Sequence, residues 1–398
     1  MRAACSALLL VACTPAPSPS AKAPLPPAAA VPVPTAVESS APPPPEAPAE
    51  ERFVVRLRTE YEDGVDCMPL MAPPSVLPNG SVWIAGSCGL RGRIDAAGRF
   101  HDYRAPSETV KFDIAGVKGS CPATYFFDTI LARADDDVWT TGDRRCGLDP
   151  NTIWMIDPVH FDGSAWRTVP TRFPSASVHE SSPDVLVRAG NDVFALALGD
   201  DWHGAPECGV YRLAKNKWVR ELGCVLPTRQ NDAVTTFYSI ATDTRGGVWV
   251  AGRAYRGGTF DRGFVMERTS KGWVEHVIAD DQLSRVAVGA DGTVWAAGKS
   301  LWRQSGKTFV EQLSVPAKES NDLWVGDEVW LISGYEPYRL VGQRFEKVLA
   351  DPSDEGSVST IRGSGKNVWA AGQRVVWSFS RDGSTPEPIT VTFHEPKR

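Results

Sequence analysis

The chain has 398 residues, 23 % charged and 42 % hydrophobic, enough apolar material for a large core. Its formal net charge is −6 and no run of Lys or Arg occurs, which excludes the basic stripe of a nucleic-acid binder. The balance is equally too mild for an acidic interaction tail.

Residues 1–12 read as a signal peptide. One positive charge, Arg2, precedes an apolar run from Ala3 to Ala12, the length of a secretory core and too short to span a bilayer. The run ends in Leu10-Val11-Ala12-Cys13, which resembles the bacterial lipobox, and the resemblance implies that Cys13 is diacylated and becomes the mature N-terminus. Residues 13–50 are almost wholly Pro, Ala, Ser and Val, a composition that buries no core and forms an extended, semi-rigid tether. An anchor followed by a tether places the expected head in the cell envelope, at the outer membrane, or outside the cell. Six further cysteines follow: Cys67, Cys88, Cys121, Cys146, Cys208 and Cys224. An even number without a close CxxC pair suits disulfides in an oxidising compartment, not a zinc site.

From residue 51 onward one phrase repeats. "GSVWIAG", "DDVWTTG", "NDVFALALG", "GGVWVAG", "GTVWAAG", "DEVWLISG" and "KNVWAAG" place an aromatic anchor at Trp83, Trp139, Phe194, Trp249, Trp295, Trp330 and Trp369. Successive anchors lie 56, 55, 55, 46, 35 and 39 residues apart, a spacing typical of propellers and solenoids. Around each anchor, period-two alternation is punctuated by Gly, Asp, Asn and Lys turns, which means strands. The predicted fold is therefore all-β: a single seven-bladed β-propeller over residues 51–398, with four antiparallel strands per blade. The Val-aromatic phrase is expected to be the second strand, packing between blades that cannot bury their faces alone. The strand Arg52–Arg58 is expected to pair near the last blade and close the ring; Pro388–Phe393 offers a competing final strand. Hairpin register then pairs Cys67 with Cys88, Cys121 with Cys146, and Cys208 with Cys224, each about one predicted turn.

"DDVWTTG" together with "VHFDGSAWRTV" at Val159–Val169 resembles secreted bacterial propellers with DVWAVG and HFDGSAW repeats, of the myxobacterial type. "DGTVWAAG" at Asp291–Gly298 is similar to two-component-regulator propeller repeats. The resemblance spans about Cys67 to Phe393. It implies the fold and carries no catalytic motif, because propellers host unrelated activities.

Connections between second and third strands, and between blades, are long only in blades one to four. They carry the expected binding residues: Arg144, Arg145, Asp200, Asp201, Trp202, His203, Tyr255, Arg256 and Asp261. The leading expectation is a monomeric, non-catalytic lipoprotein head that binds a protein or glycan through these loops, without cofactor or metal. The alternative is a secreted enzyme of lyase or glycoside-hydrolase type at the loop-rich mouth. Acids in "ADDD" and "ADGT" occupy tight turns, where Asp caps the backbone. The six histidines show no ligand spacing, and Asn79-Gly80-Ser81 reads as a hairpin turn before it reads as a glycosylation site.

Overall fold

The structure, a computed structural model, describes residues 51–61, 71–105, 108–114, 117–145, 153–155, 158–169, 185–197, 208–215, 217–224, 233–243, 245–256, 258–278, 280–350, 357–382, 384 and 386–393. Residues 1–50, expected as signal segment and tether and including Cys13, lie outside them, as do Cys67 and Cys146. Every described element is a strand, and the strands form seven sheets, each built on a four-stranded antiparallel ladder. These are the seven blades of a propeller ring. Val82–Ala85, Asp137–Arg145, Asp192–Ala197, Val248–Arg256, Val294–Ala297, Val329–Ser333 and Asn367–Gly372 are the seven second strands, where the repeat predicts them.

Side chains alternate across a strand, so the valine and the aromatic of each phrase leave on opposite faces. Both faces are covered. Trp83 shares a buried cluster with Val138 of the next blade, Trp139 with Val193, and Phe194 with Val248. The series continues with Trp249 and Val294, Trp295 and Val329, and Trp330 and Val368. It closes with Trp369 and Val82. Seven clusters fill seven blade interfaces, one phrase serving two of them. The fit is tight enough that the indole N–H groups of Trp83, Trp249 and Trp330 are buried without an acceptor. A lost hydrogen bond of that kind costs about 1–3 kcal/mol, and the packing outweighs it.

The outer rim of each aromatic is capped by a base. Across the ladder from Trp83, Trp295 and Trp330 stand Arg93, Arg303 and Arg339, with guanidinium carbons 5.9, 5.4 and 5.9 Å from the ring centres. His160 lies opposite Trp139 at 4.6 Å. In blade four the facing residue is Glu267, and His276 of the outer strand bonds to it at 3.0 Å beside Trp249. In blade seven it is Ser378, and Arg56 supplies the cation over Trp369. The acid two residues before the aromatic then meets the base: Asp137 with His160 at 2.9 Å, Glu328 with Arg339 at 3.6 Å, and Asp192 with Arg212 at 3.8 Å. Acid, valine and aromatic thus have separate duties within three consecutive residues. At the first interface Arg91, 5 % exposed, sits between Phe127 at 4.9 Å and Trp166 at 4.3 Å, and burial lowers its pKa to about 10.

The ring is closed by the strand Arg52–Tyr61, which pairs antiparallel with Val375–Ser380 as the fourth strand of blade seven. Its Phe53 is fully buried with Trp330 and Trp377. Ile389–Phe393 does not close the blade; it runs parallel along the other edge of Arg52–Tyr61. The first turn of blade one uses Asn79-Gly80, with Gly80 at φ +88° and Asn79 Oδ1 accepting the Ser81 N–H at 2.9 Å. Cys208 and Cys224 are disulfide-bonded across the open end of the blade-three hairpin, Cα atoms 5.4 Å apart. Cys88 and Cys121 are each disulfide-bonded as well.

Two segments expected as irregular loops are strands. Glu108–Ile114 forms a hairpin with the first half of Val117–Ala134, whose second half is the inner strand of blade two. Val248–Arg256 and Thr259–Thr269 run on as paired strands to a turn between Arg256 and Thr259. Alternation in "ETVKFDI" and "VAGRAYR" continues past the blade edge and carries the ladder with it. The division of labour at Trp330 is open to measurement by urea denaturation. Trp330→Ala should cost about 3–5 kcal/mol by emptying a core site. Arg339→Ala, which removes the cap together with its pairings to Glu51 and Glu328, should cost less, about 1–2 kcal/mol; equal costs would refute the separation of core from cap.

Candidate functional site

The inner strands of all seven blades surround a central channel of about 360 Å³. Its wall is mixed, with Ile130, Leu186, Ile240, Val286 and Leu323 at one layer and polar residues such as Ser75, Thr129, Ser239 and Asp322 among them. Trp324 of blade six lies across it. A Cβ on Gly363 of blade seven would stand 2.6 Å from the indole and one on Gly326 2.3 Å, so both positions need glycine.

Charge collects where the inner strands of blades five and six begin. Asp322, 4 % exposed, accepts the Ile361 N–H at 2.8 Å and Arg362 Nη1 at 2.5 Å, with Arg285 Nε at 3.6 Å. Arg285 also donates to the Ser284 carbonyl at 2.7 Å. Arg253, from the second strand of blade four, donates to the Leu283 carbonyl at 2.8 Å and stacks on Tyr238 at 4.3 Å. Burial lowers the pKa of Arg285, Asp322 opposes that shift, and the neighbouring Arg362 and Arg253 add to it. Arg285 and Arg362 thus share one carboxylate, with Arg253 close enough to add to their repulsion. None of these four residues stands out in the sequence by motif or spacing. Its only available signal is a charged residue interrupting inner strands such as "RVAV" and "TIRGS", and the ring decides which of these meet.

The ends of antiparallel blades alternate, so the second-to-third connections and the links between blades emerge on one face. On it rise the hairpin Glu108–Ile114/Val117–Ala134, the pair Asp137–Arg145/Ile153–Met155, and the hairpin tip at Arg256. In blades five, six and seven the second-to-third connections are two residues long. Of the residues singled out in the sequence, Arg144 and Arg145 lie on blade two, paired with Tyr125 and Thr124. Tyr255, Arg256 and Asp261 share the blade-four hairpin. Tyr255 Oη is 3.2 Å from Tyr238 Oη, and Asp261 pairs with the buried Arg262, which Glu275 also holds at 2.9 Å. Asp200, Asp201, Trp202 and His203 lie outside the described residues.

The turn acids are spent on their own turns. Asp95 takes a hydrogen bond from His101 and the Arg99 N–H; Asp162 takes Ser164 Oγ and the Ala165 and Ser164 N–H groups. These contacts hold both carboxyls well below the usual carboxylate range. Asp382 is lowered to about 2 by Ser384. No cluster of three or more His, Cys, Asp or Glu suited to a metal occurs among the described residues. Depressed carboxyls contribute stability that is complete above their unfolded pKa and is lost as pH falls through the folded one. The melting temperature should therefore be flat near neutrality and fall from about pH 4 downward. The triple variant Asp95→Asn/Asp162→Asn/Asp382→Asn should show a shallower acid limb in calorimetry; an unchanged limb would contradict these assignments.

No protein-family model matches the sequence, and no curated protein does. Several solved structures are similar in fold. YCF48 bound to D1 peptide is 14 % identical with a TM-score of 0.53, covering 84 % of this chain and 97 % of that one. The Dos1 propeller is 9 % identical with a TM-score of 0.54, covering 85 % and 97 %. The extracellular domain of the putative one component system BT4673 from B. thetaiotaomicron is 11 % identical with a TM-score of 0.53, covering 83 % of this chain and 40 % of that one. At these identities the likeness is one of fold.

Proposed function

We propose that the protein is a non-catalytic binding head of the cell envelope, lipid-anchored through Cys13, that takes a protein or glycan partner on the face carrying the raised hairpins. The observation that carries this reading is the asymmetry of that face among the described residues: extended hairpins at the link into blade two and in blades two and four, two-residue second-to-third turns in blades five to seven. A rigid ring with elaborated connections on one side is how scaffolds present a recognition surface. That one similar structure is YCF48 with a peptide bound supports a protein partner. The commitment of the turn acids to local donors favours binding over lyase or glycosidase chemistry, which needs free, convergent acids. The lipobox-like Leu10–Cys13, the Pro/Ala tether and the myxobacterial-type repeats support the address.

Two measurements test it. Cys13→Ser should move the protein from the membrane to the soluble fraction and abolish incorporation of labelled fatty acid; membrane retention would overturn the anchor. With the full chain in that soluble form, peptide and glycan arrays should give hits that Tyr255→Ala/Arg256→Ala weakens by roughly tenfold. Its stability should change by no more than about 0.5 kcal/mol. Tyr335→Ala, on the short turn of blade six, should bind as wild type. Equal losses in both variants would place the binding face elsewhere.

A further inference from the structure

A recess of about 250 Å³ opens on the same face beside the channel mouth, between blades four, five and six. Arg253, Arg285, Lys299 and Lys318 line it, together with Glu319 and Ser320. Arg362 stands next to it through the shared Asp322. The bases are under-compensated. Four of them, Arg253, Arg285, Lys299 and Lys318, line it against one lining carboxylate, Glu319, with Asp322 and Asp281 behind the wall. Asp281 is already bound to the Lys299 and Ser300 N–H groups and Trp302 Nε1, at 2.7, 2.9 and 2.6 Å. Both Nη atoms of Arg253, Nη2 of Arg285 and the ammonium groups of Lys299 and Lys318 have no acceptor among the described residues. Ser320, 4 % exposed, has its Oγ buried with no hydrogen-bond partner. Lys318 is held at φ +53°, a conformation that disfavours side chains and that tends to be kept where a residue has work to do.

Unpaired donors around a small concave space define an anion site. The volume suits one small acid or one acidic side chain, well short of a drug-sized ligand. The ligand's charge follows from what is already there. Glu319 in the wall, with Asp322 behind Arg285, repels charge concentrated on one centre, as in phosphate, more than the single carboxylate that one end of an extended acid presents. Asp322 itself shows how a carboxylate sits here, taken by the planar guanidinium of Arg362 with Arg285 beside it.

We infer that this recess binds a carboxylate, with Arg253 and Arg285 as its principal donors, Lys299 and Lys318 at the rim, and Ser320 Oγ as a neutral donor. The carboxylate comes either from a free dicarboxylic acid or from an acidic side chain of a partner. The site shares a face with the proposed partner surface but none of its residues, and stands or falls separately from it.

Calorimetric titration of the full chain carrying Cys13→Ser, with glutarate, with an amidated Gly/Glu hexapeptide and with inorganic phosphate, tests the inference. Saturable binding of glutarate or the hexapeptide is expected, weakened roughly tenfold or more by Arg285→Ala. Lys299→Ala/Lys318→Ala should weaken it about threefold; both lysines are exposed, so this variant serves even if Arg285→Ala does not fold. Glutarate alone binding identifies a free acid; the peptide binding identifies an acidic side chain. Arg256→Ala should leave either interaction intact, whatever it does to array binding. Phosphate binding more tightly than both probes, no saturable binding of any probe, or binding untouched by the lysine pair would each overturn the site.

Discussion

The aromatic ring of each blade rests on the buried valine of the next, and every other feature of the molecule depends on that contact. A single four-stranded blade has two apolar faces and cannot cover either. Splitting the phrase so that valine faces backward and the aromatic forward makes each interface the joint product of two repeats. The chain of contacts from Trp83 to Val138 and onward to Trp369 and Val82 returns to its start. A ring with no free interface has no blade that can peel away alone. The join at blade seven is therefore the vulnerable place, and it is made by strands from opposite ends of the sequence.

The caps over the aromatics explain why so polar a phrase can be so deeply packed. Arginine and histidine lay flat surfaces on the indoles while keeping charge near water, and the acid two residues upstream steers them. Surface ion pairs of this sort contribute little singly. Their value lies in repetition, since each one fixes the rim of an interface that the valine fixes inside.

That rigidity gives the mouth its chemistry. Strands held in register bring Arg285 and Arg362 from two blades onto one Asp322, with Arg253 of a third beside Arg285, a concentration of like charge that flexible loops would relax. The ring supplies the work of holding them together, and a counter-ion or ligand gains what the protein leaves unsatisfied. The same scaffold carries the raised hairpins of blades two and four, so one face presents two kinds of surface: extended strands on one side and a compact basic recess on the other.

Much of this was legible in the chain itself. The strand type, the seven repeats, the position of the Val-aromatic phrase in each blade and the use of Asn79-Gly80 as a turn follow from local alternation and turn chemistry, which act within a few residues. Three things needed the tertiary structure. The closing strand had two candidates, and only the partner edge of Val375–Ser380 with the Phe53 site selects Arg52–Tyr61. The extension of the blade-four hairpin to Arg256 depended on a partner strand that composition does not reveal. The basic recess draws on residues from Arg253 to Asn321, nearly seventy positions apart, whose proximity exists because the ring sets a strand of blade four beside the connections of blades five and six. Local pattern determined what each segment is; closure decided which segments meet.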